Sequence, residues 1–347
     1  MILFRCHAGP EIGFGHLARC RALAAALVSR GERCGMVGPA PDYRTETDRA
    51  LFSLWEPVPG WESAAADAVS FVRLAAAEGA GLAVLDDYRV DEAYQLVLRE
   101  AGLRWLQFEG RTDQPVWADI VLNGNPAARP EDYAPVLRNK AAKLLLGPSH
   151  AILRPEFSGI APRETRAEVR NVLVAFGAGG DRGAIHFTLE TLLPATDKAI
   201  RFTVVSGKHN PANGELAAFV AAPGEGRVNL LIDPPGMAAI IREADIAVTS
   251  GGTLTYELAA CGVPMIVVAI SDDQMRSRAW ADAGVGLFLG RHPGLRGDVL
   301  AGAVRSLSED FEKRRRLSAA ASTSTDGRGA ERAAEALLAL NQKVHHA

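Results

Sequence analysis

The sequence has few cysteines, and their spacing is unlike that of a metal site or a disulfide framework. The four thiols, Cys6, Cys20, Cys34 and Cys261, include no C-x-x-C pair. Three of them, Cys6, Cys20 and Cys34, fall in segments predicted below as core strands or helices. Zinc sites and disulfide-stapled domains need closely spaced, repeated cysteines. We therefore expect reduced, buried thiols in a cytoplasmic protein, with no metal ion and no cofactor.

The chain also lacks an excess of basic residues and any long apolar run. Lys and Arg number 38 against 41 Asp and Glu, so the formal net charge is −3. Nucleic-acid and membrane-surface proteins usually carry a basic excess, and no run approaches the roughly 18 apolar residues of a membrane helix. No basic leader follows Met1, so we expect no signal peptide, no membrane span and no nucleic-acid partner.

What the sequence does contain is an alternation of short apolar strands and amphipathic helices, repeated in two halves. With 347 residues, 48% of them hydrophobic, the chain is long enough for about two domains. In the first half we predict strands at 2–6, 33–37, 82–85, 104–108, 120–122 and 144–146, and a helix at 17–30. In the second half we predict strands at 171–175, 202–205, 228–231, 246–249 and 265–268, and helices at 184–193, 236–244 and 254–260.

A polar, proline-containing stretch at 154–166 has little periodicity and separates the halves as a linker. We therefore predict two α/β domains with parallel sheets, at 1–155 and 156–325, and a C-terminal helix within 326–347 that packs on a domain. Ligands of open parallel sheets bind beyond the carboxyl ends of the strands. We expect the site in a cleft that the two domains face.

The first candidate motif is the glycine loop at 7–16, between the first strand and the first helix. Gly13 and Gly15 belong to a G-x-G-x-x-A match, but the loop after Cys6 is too long for the tight turn of a dinucleotide fingerprint. We interpret it as a loop that brings His16 to a helix N-terminus. There the helix dipole favours a neutral imidazole that can act as a base. The alternative is that His16 only caps the helix.

The second motif is the run from Thr249 to Glu257, where two glycines and Thr253 follow a predicted strand. Free amides at the start of the next helix suit a diphosphate, with Gly252 and Thr253 closest. Glu257, one turn further on, lies where it could accept hydrogen bonds from ribose hydroxyls. The alternative is an ordinary turn with a surface glutamate.

Three further strand ends carry candidate residues. The segment 176–181, which begins with Phe176 and Gly177, either holds a diphosphate or forms a flexible edge of the cleft. The pair Asp86 and Asp87, followed by Tyr88, suits acid–base work, although Asp87 or Asp91 could equally cap the next helix. A last group, which contains Asp273 and Gln274, follows the strand at 265–268 beside the second motif.

Together these segments resemble the UDP-2,4-diacetamido-2,4,6-trideoxy-β-L-altropyranose hydrolases of pseudaminic acid biosynthesis, to which spore-coat polysaccharide proteins are similar. In the first half the resemblance rests on 12–16 with Arg19 and Cys20, on Asp87-Tyr88, on 146–148 and on 153–157. In the second half it rests on 176–177, 251–253, Glu257, 262–264 and Gln274, which look like the nucleotide-binding domain of MurG-type glycosyltransferases.

The resemblance implies a GT-B-like fold of two Rossmann-like domains and cleavage of a UDP-sugar at its anomeric C–O bond by water. The product would be a free 2,4-diacetamido-2,4,6-trideoxyhexose for pseudaminic acid, as used to modify flagellin or surface glycans. It implies that His16 is the catalytic base, that Tyr88 and Asp87 position water or sugar, and that inversion needs no metal. The substrate-binding residues would be Gly13, Gly15, Arg19, Phe176, Gly177, Gly252, Thr253, Glu257, Asp273 and Gln274.

Two positions depart from the family pattern, and two other functions stay open. His7 stands where the family usually has an aspartate, and Asp273 stands where it usually has an asparagine; either change can alter which sugar is accepted. The alternatives are a GT-B glycosyltransferase that uses a UDP-sugar donor and a non-catalytic subunit that binds a nucleotide sugar. We expect a monomer or a weak dimer.

Overall fold

The structure, a computed structural model, describes residues 1–9, 12–177, 179–221 and 226–342. Pro10, Glu11 and Ala178, which belong to the predicted glycine loops, lie outside the described residues, as does 343–347 of the predicted C-terminal segment. The chain divides into two compact units. The first comprises Met1–Pro155 and Arg328–Ala347, and the second Glu156–Gly327.

Within the described residues, the first unit contains one sheet of seven strands. They are β1 (Ile2–Cys6), β2 (Cys34–Gly38), β3 (Phe52–Pro57), β4 (Leu82–Asp86), β5 (Arg104–Phe108), β6 (Ile120–Asn123) and β7 (Lys143–Leu146). Neighbours pair in parallel in the order β3-β2-β1-β4-β5-β6-β7. The accompanying helices are α1 (Gly15–Val28), α2 (Glu46–Leu51), α3 (Ala64–Ala77), α4 (Glu92–Glu100) and α5 (Pro130–Tyr133).

The second unit repeats this arrangement with six strands among the described residues. They are β8 (Asn171–Ala175), β9 (Arg201–Ser206), β10 (Val228–Ile232), β11 (Ile246–Thr249), β12 (Met265–Ala269) and β13 (Gly286–Arg291). The parallel order is β10-β9-β8-β11-β12-β13. Its helices are α6 (Ala184–Ala195), α7 (Asn213–Ala221), α8 (Met237–Glu243), α9 (Leu254–Ala260), α10 (Ala279–Asp282), α11 (Gly297–Glu309) and α12 (Phe311–Ser324). The predicted α/β fold class is therefore confirmed in both halves.

Alternate side chains of the central strands pack on opposite faces of each sheet, which explains why the strands are apolar throughout. In β1, Ile2 and Phe4 join one buried cluster with Leu17 of α1, whereas Leu3 joins another with Phe71 of α3. Parallel sheets covered by helices on both faces need such continuous apolar strands. At about 25 cal/mol per Å² of buried apolar surface, these two clusters supply the main driving force for folding this unit.

The last helix, α13 (Gly329–Gln342), packs on the first unit although it follows the second in the chain. Its buried residues Ala333, Ala334 and Leu337 belong to the same cluster as α1. The small alanines let the two helices approach closely. Among the described residues, no helix combines the length and the apolar character needed to cross a bilayer.

Candidate functional site

The strand order of the first unit brings the residues after β1 and β4 together. The order reverses between these two neighbouring strands, and ligands of open α/β sheets bind at such a switch point. Cys6 at the end of β1 pairs with Asp86 at the end of β4, and the His7 amide donates a hydrogen bond to the Asp86 carbonyl at 3.3 Å. The glycine loop leads from β1 to α1, where His16 is the second residue.

His16 is buried against Asp86 and Tyr88. Its Nδ1 lies 2.7 Å from Oδ1 of Asp86, and the edge of its ring meets the Tyr88 ring at a centroid distance of 4.6 Å and an angle of 90°. A proton on Nδ1 satisfies the contact with the carboxylate. That tautomer leaves Nε2 with a lone pair, so the imidazole can accept a proton there.

Asp86 is held by Arg19 as well as by His16. The Arg19 guanidinium donates two hydrogen bonds to its carboxylate, at 2.9 and 2.6 Å. Burial alone raises the pKa of Asp86, but the charge of Arg19 and the hydrogen bonds from His16 and Arg19 outweigh burial and hold that pKa below its usual value. Asp86 is therefore ionised at neutral pH, and two of the donor nitrogens of Arg19 bind its carboxylate. A contact between Arg19 and substrate stays a prediction.

Asp87 faces a different set of partners. It accepts hydrogen bonds from the Arg89 side chain at 2.9 and 2.7 Å, and Nη1 of Arg5 lies 3.4 Å from its carboxylate. Burial raises the pKa of Asp87, and the hydrogen bond from Arg89 with the charge of Arg5 lowers it overall. The half-exposed His7 ring lies 3.9 Å from Asp87, and burial and the Arg89 charge lower its pKa.

The predicted catalytic member of this pair is Asp87, whereas the carboxylate that lies against His16 is that of Asp86. Strand alternation is the physical reason. In β4, Leu82 and Val84 pack in the α1 cluster, and Asp86 continues that face toward α1. The next residue turns to the opposite face. Leu82, Val84 and Asp86 alternate along the strand, so they lie on the same face of β4. Once it is known that this face meets α1, the alternation in the sequence selects Asp86 as the partner of His16.

Gly13 and Gly15 shape the loop before His16. Gly13 has a φ of +87°, which glycine adopts without strain, and it exchanges two backbone hydrogen bonds with Gly9 at 2.7 and 3.3 Å. Gly15 is the first residue of α1. Gly13 therefore pairs with the backbone that follows β1, and Gly15 begins the helix that carries the imidazole. Their contact with substrate stays a prediction.

In the second unit the same reversal of strand order brings together the loops after β8 and β11. The Ser250 hydroxyl donates a hydrogen bond to the carbonyl of Phe176 at 3.2 Å, which ties the two loops together. Gly177 follows with a φ of +100°, again a conformation suited to glycine. Both predicted glycine segments of this half therefore lie at its switch point, where the fold favours ligand binding.

Gln274 orders the loop after β11. Its side-chain oxygen accepts hydrogen bonds from the Gly251 amide at 3.3 Å and from the Ile270 amide at 3.0 Å. A Cβ on Gly251 would come within 2.4 Å of the Ser277 hydroxyl, so only glycine fits there. Asp273 is exposed at the start of the short 3-10 helix Asp273–Arg278. Gln274 therefore supports the loop, and direct contacts of both residues with substrate stay predictions.

The predicted diphosphate residues sit at the beginning of α9. A Cβ on Gly252 would meet only Ser250, at 3.8 Å, so a ligand can approach the backbone here. The Gly252 carbonyl accepts hydrogen bonds from the Thr255 amide at 3.1 Å and hydroxyl at 2.8 Å, which sets the first turn. Thr253 is the N-cap, and Glu257 is buried with 5% of its surface exposed.

No group of three His, Cys, Asp or Glu side chains is arranged like metal ligands among the residues that the structure describes. All four cysteines are buried as free thiols, and burial raises the pKa of Cys34 and of Cys261 to about 12. Thiols of that kind are protonated at neutral pH and poor metal ligands. A reaction without a metal stays a prediction for the assay.

Comparisons with known proteins agree with this architecture. No protein-family model matches the chain. It is similar to the UDP-2,4-diacetamido-2,4,6-trideoxy-beta-L-altropyranose hydrolase of Campylobacter jejuni, with 25% identity over 280 residues, which cover 80% of this chain and 95% of that protein. It is also similar to the spore coat polysaccharide biosynthesis protein SpsG of Bacillus subtilis, with 24% identity over 205 residues, 57% of this chain and 58% of that protein.

Among solved structures, the chain is similar to MurG of Acinetobacter baumannii. The TM-score is 0.68 at 16% sequence identity, over 97% of this chain and 99% of MurG. At that identity the likeness speaks for the fold alone. The two parallel α/β sheets, of seven and six strands, have equivalent orders over six strands, and the chain has a GT-B-like fold. Its relationship to the UDP-sugar hydrolase is distant, at 25% identity.

Proposed function

We propose that this protein is a nucleotide-sugar hydrolase, which uses water to cleave the bond between the anomeric carbon of a UDP-sugar and the diphosphate. The observation that carries the proposal is the buried pair of His16 and Asp86, 2.7 Å apart at a sheet switch point. A hydrolase needs a base for water, and the contact of Nδ1 with Asp86 leaves the lone pair of the imidazole on Nε2. The name of the Campylobacter relative supports a 2,4-diacetamido-2,4,6-trideoxyhexose as the sugar. The family resemblance in the sequence implies that this sugar is used for pseudaminic acid.

In the proposed reaction, Nε2 of His16 takes a proton from a water molecule as the water oxygen attacks the anomeric carbon. The new C–O bond forms on the face opposite the nucleotide, and the old C–O bond breaks with its electron pair leaving on UDP. The anomeric configuration is thereby inverted. Asp86 keeps the imidazole in the reactive tautomer and stabilises the imidazolium, while Tyr88 packs against the ring.

The nucleotide is assigned to the second unit. The diphosphate would lie on the backbone amides of Gly252 and Thr253, since the first amides of a helix lack partners within it and attract anions. The same amides stabilise the charge that develops on the leaving diphosphate. Glu257 is the proposed ribose ligand, and Gln274 holds the loop. The remaining glycines at the two switch points let backbone approach the substrate.

A glycosyltransferase is the second candidate, because the fold is similar to that of MurG. In that case a sugar hydroxyl replaces water and His16 deprotonates the acceptor. A nucleotide-sugar-binding subunit without activity is the third, and it predicts tight UDP binding with no turnover. These three functions share the nucleotide site and differ only in what reaches the anomeric carbon.

The test is mass-spectrometric turnover of a panel of UDP-sugars in ¹⁸O-labelled water, with purified protein and no acceptor. We expect UDP and a free sugar that carries the label at its anomeric oxygen. Label found only in UDP would mean that water attacks phosphorus. UDP release that requires an added sugar acceptor would establish the transferase instead.

His16→Asn decides between an enzyme and a binding subunit. Asparagine keeps a hydrogen-bonding side chain but cannot take up a proton at neutral pH. Because a general base contributes about 10²–10⁴-fold, we expect the rate of UDP release to fall at least 100-fold with UDP affinity unchanged. The structure already argues against His16 as a helix cap, because Phe14 is the N-cap of α1 and, among the described residues, no side chain caps this helix. Normal turnover by the variant would show that the contact of His16 with Asp86 is only structural.

A further inference from the structure

Tyr88 is exposed, yet its ring is held edge-on against the buried His16. The side chain lies in the turn after β4 with 55% of its surface exposed, and its ring centroid is 4.6 Å from that of the imidazole. Apolar burial cannot fix a ring that is so largely in solvent. A specific partner must therefore keep it in place.

That partner is Arg111, from the segment after β5. Its Nη2 donates a hydrogen bond to the Tyr88 carbonyl at 3.1 Å, and its guanidinium carbon lies 5.8 Å from the centre of the Tyr88 ring. Arg111 thus contacts both the backbone and the ring of the same residue. Guanidinium groups within about 6 Å of an aromatic ring are attracted to its face.

Arg111 is itself anchored by a buried carboxylate. Glu109, 4% exposed, accepts a hydrogen bond from the Arg111 amide at 2.7 Å, and its Oε1 lies 3.6 Å from Nε of Arg111. The side chains of Gln107 and Gln114 donate to the other carboxylate oxygen at 3.2 and 3.1 Å. A carboxylate with four such contacts has little freedom, so it fixes the point from which Arg111 reaches Tyr88.

We propose that Arg111 is a positioning residue that holds the Tyr88 ring against His16 and thereby limits the exposure of the imidazole. Glu109, Arg111 and Tyr88 link the end of β5 to the base at the start of α1. With the ring in place, only 6% of His16 is exposed. This inference rests on the proposed function for its kinetic consequence, but the position of the ring can be measured without any activity.

The size of the effect follows from the two contacts. An exposed cation–π contact and a neutral-acceptor hydrogen bond are each modest, so we expect Arg111→Gln to lower kcat/KM about tenfold. UDP affinity should stay unchanged, because Arg111 acts through Tyr88 and not on the nucleotide. The matched control is Arg138→Gln, an exposed arginine of the same unit that donates to the Pro135 carbonyl at 2.9 Å.

A double-mutant cycle tests whether Arg111 acts through Tyr88. Tyr88→Ala should lower kcat/KM by more than Arg111→Gln, and adding Arg111→Gln to Tyr88→Ala should cause no further loss. If Arg111→Gln still costs tenfold in the Tyr88→Ala protein, or weakens UDP binding in calorimetry, Arg111 touches substrate directly and the inference is overturned.

A spectroscopic measurement reports the ring itself. The proton resonances of the His16 ring, identified by their absence in His16→Asn, are shifted by the ring current of Tyr88. We expect Tyr88→Ala and Arg111→Gln to move them in the same direction and Arg138→Gln to leave them in place. Unmoved resonances in a folded Arg111→Gln protein would refute the inference. Absence of hydrolysis by the wild-type protein would refute the proposed function alone, because this measurement would still decide the role of Arg111.

Discussion

The exchange of Asp86 for asparagine is the sharpest test of the proposed chemistry. Asp86 accepts two hydrogen bonds from Arg19 and faces Nδ1 of His16 at 2.7 Å. Asparagine has nearly the same shape but only one accepting oxygen and no charge. It can satisfy either Arg19 or the protonated Nδ1, and its amide group donates wherever it cannot accept. Where the amide group faces the ring, it donates to Nδ1 and drives the imidazole toward the tautomer with its proton on Nε2, which cannot act on water. The Asp86 carbonyl, 3.1 Å from Nδ1, is then the remaining acceptor that favours the reactive tautomer.

The expected loss follows from the role of the base. A general base contributes about 10²–10⁴-fold, so a base in the wrong tautomer should lower kcat at least 100-fold, or about 2.7 kcal/mol at 1.36 kcal/mol per factor of ten. UDP affinity should change little, because the nucleotide is assigned to the other unit. The assay is UDP release under saturating UDP-sugar, with calorimetry of UDP binding and a thermal unfolding scan on the same preparations.

Asp87→Asn is the matched comparison, since it removes a neighbouring buried carboxylate that pairs with Arg89 and Arg5 instead. We expect it to lower kcat by less than tenfold while Asp86→Asn lowers it at least 100-fold. The reverse order, with an active Asp86→Asn protein and an inactive Asp87→Asn protein, would refute the assignment made from the strand faces. A loss of both activity and folding in Asp86→Asn would show instead that the carboxylate acts chiefly through Arg19.

Three further outcomes are expected. Glu257→Ala should weaken UDP binding at least tenfold in calorimetry, since a charge-assisted hydrogen bond contributes about 1.5–3 kcal/mol; an unchanged affinity removes Glu257 from the ribose site. Turnover should survive excess chelator, because backbone amides are proposed to meet the diphosphate; loss on chelation with recovery on added magnesium would contradict this. Burial raises the pKa of Asp245, but backbone hydrogen bonds from Arg170 and Asn171 and the Arg163 guanidinium lower it overall. Asp245→Asn should therefore lower the free energy of unfolding at pH 7, and in urea titrations the deficit should shrink as pH falls below about 4 toward the folded pKa; a constant deficit would mean that charge is not the cause.

The buried central strands were predictable because each is a short apolar run bounded by turn residues. The bounds of β1, β5, β8 and β11 and of helix α9 agree with the predicted ranges. The missed strands, β3 and β13, are two of the four strands at sheet edges, and the other two, β7 and β10, were predicted. Edge strands are buried less completely, and in Phe52–Pro57 only Phe52 is fully buried. Their hydrophobic signal is correspondingly weak.

The sequence by itself determined the kind of protein and the places where chemistry is expected. Alternating strands and helices require parallel sheets, and glycine loops after strands must lie at the carboxyl ends of those sheets. His16 and the Gly252–Thr253 loop could be selected on that basis alone. These conclusions depend only on local sequence patterns, because the side-chain sizes and backbone freedom of a few neighbouring residues determine whether they form a strand, a helix or a glycine loop.

Only the tertiary structure decided which side chains meet. Adjacent aspartates in sequence point to opposite faces of a sheet, so Asp86 reaches His16 and Arg19 while Asp87 reaches Arg89 and Arg5. The bond from Arg111 to Tyr88 likewise joins segments that follow different strands. Strand order and helix packing fix such pairings, because a salt bridge or a ring contact depends on distances of a few ångströms between residues that are far apart in the chain.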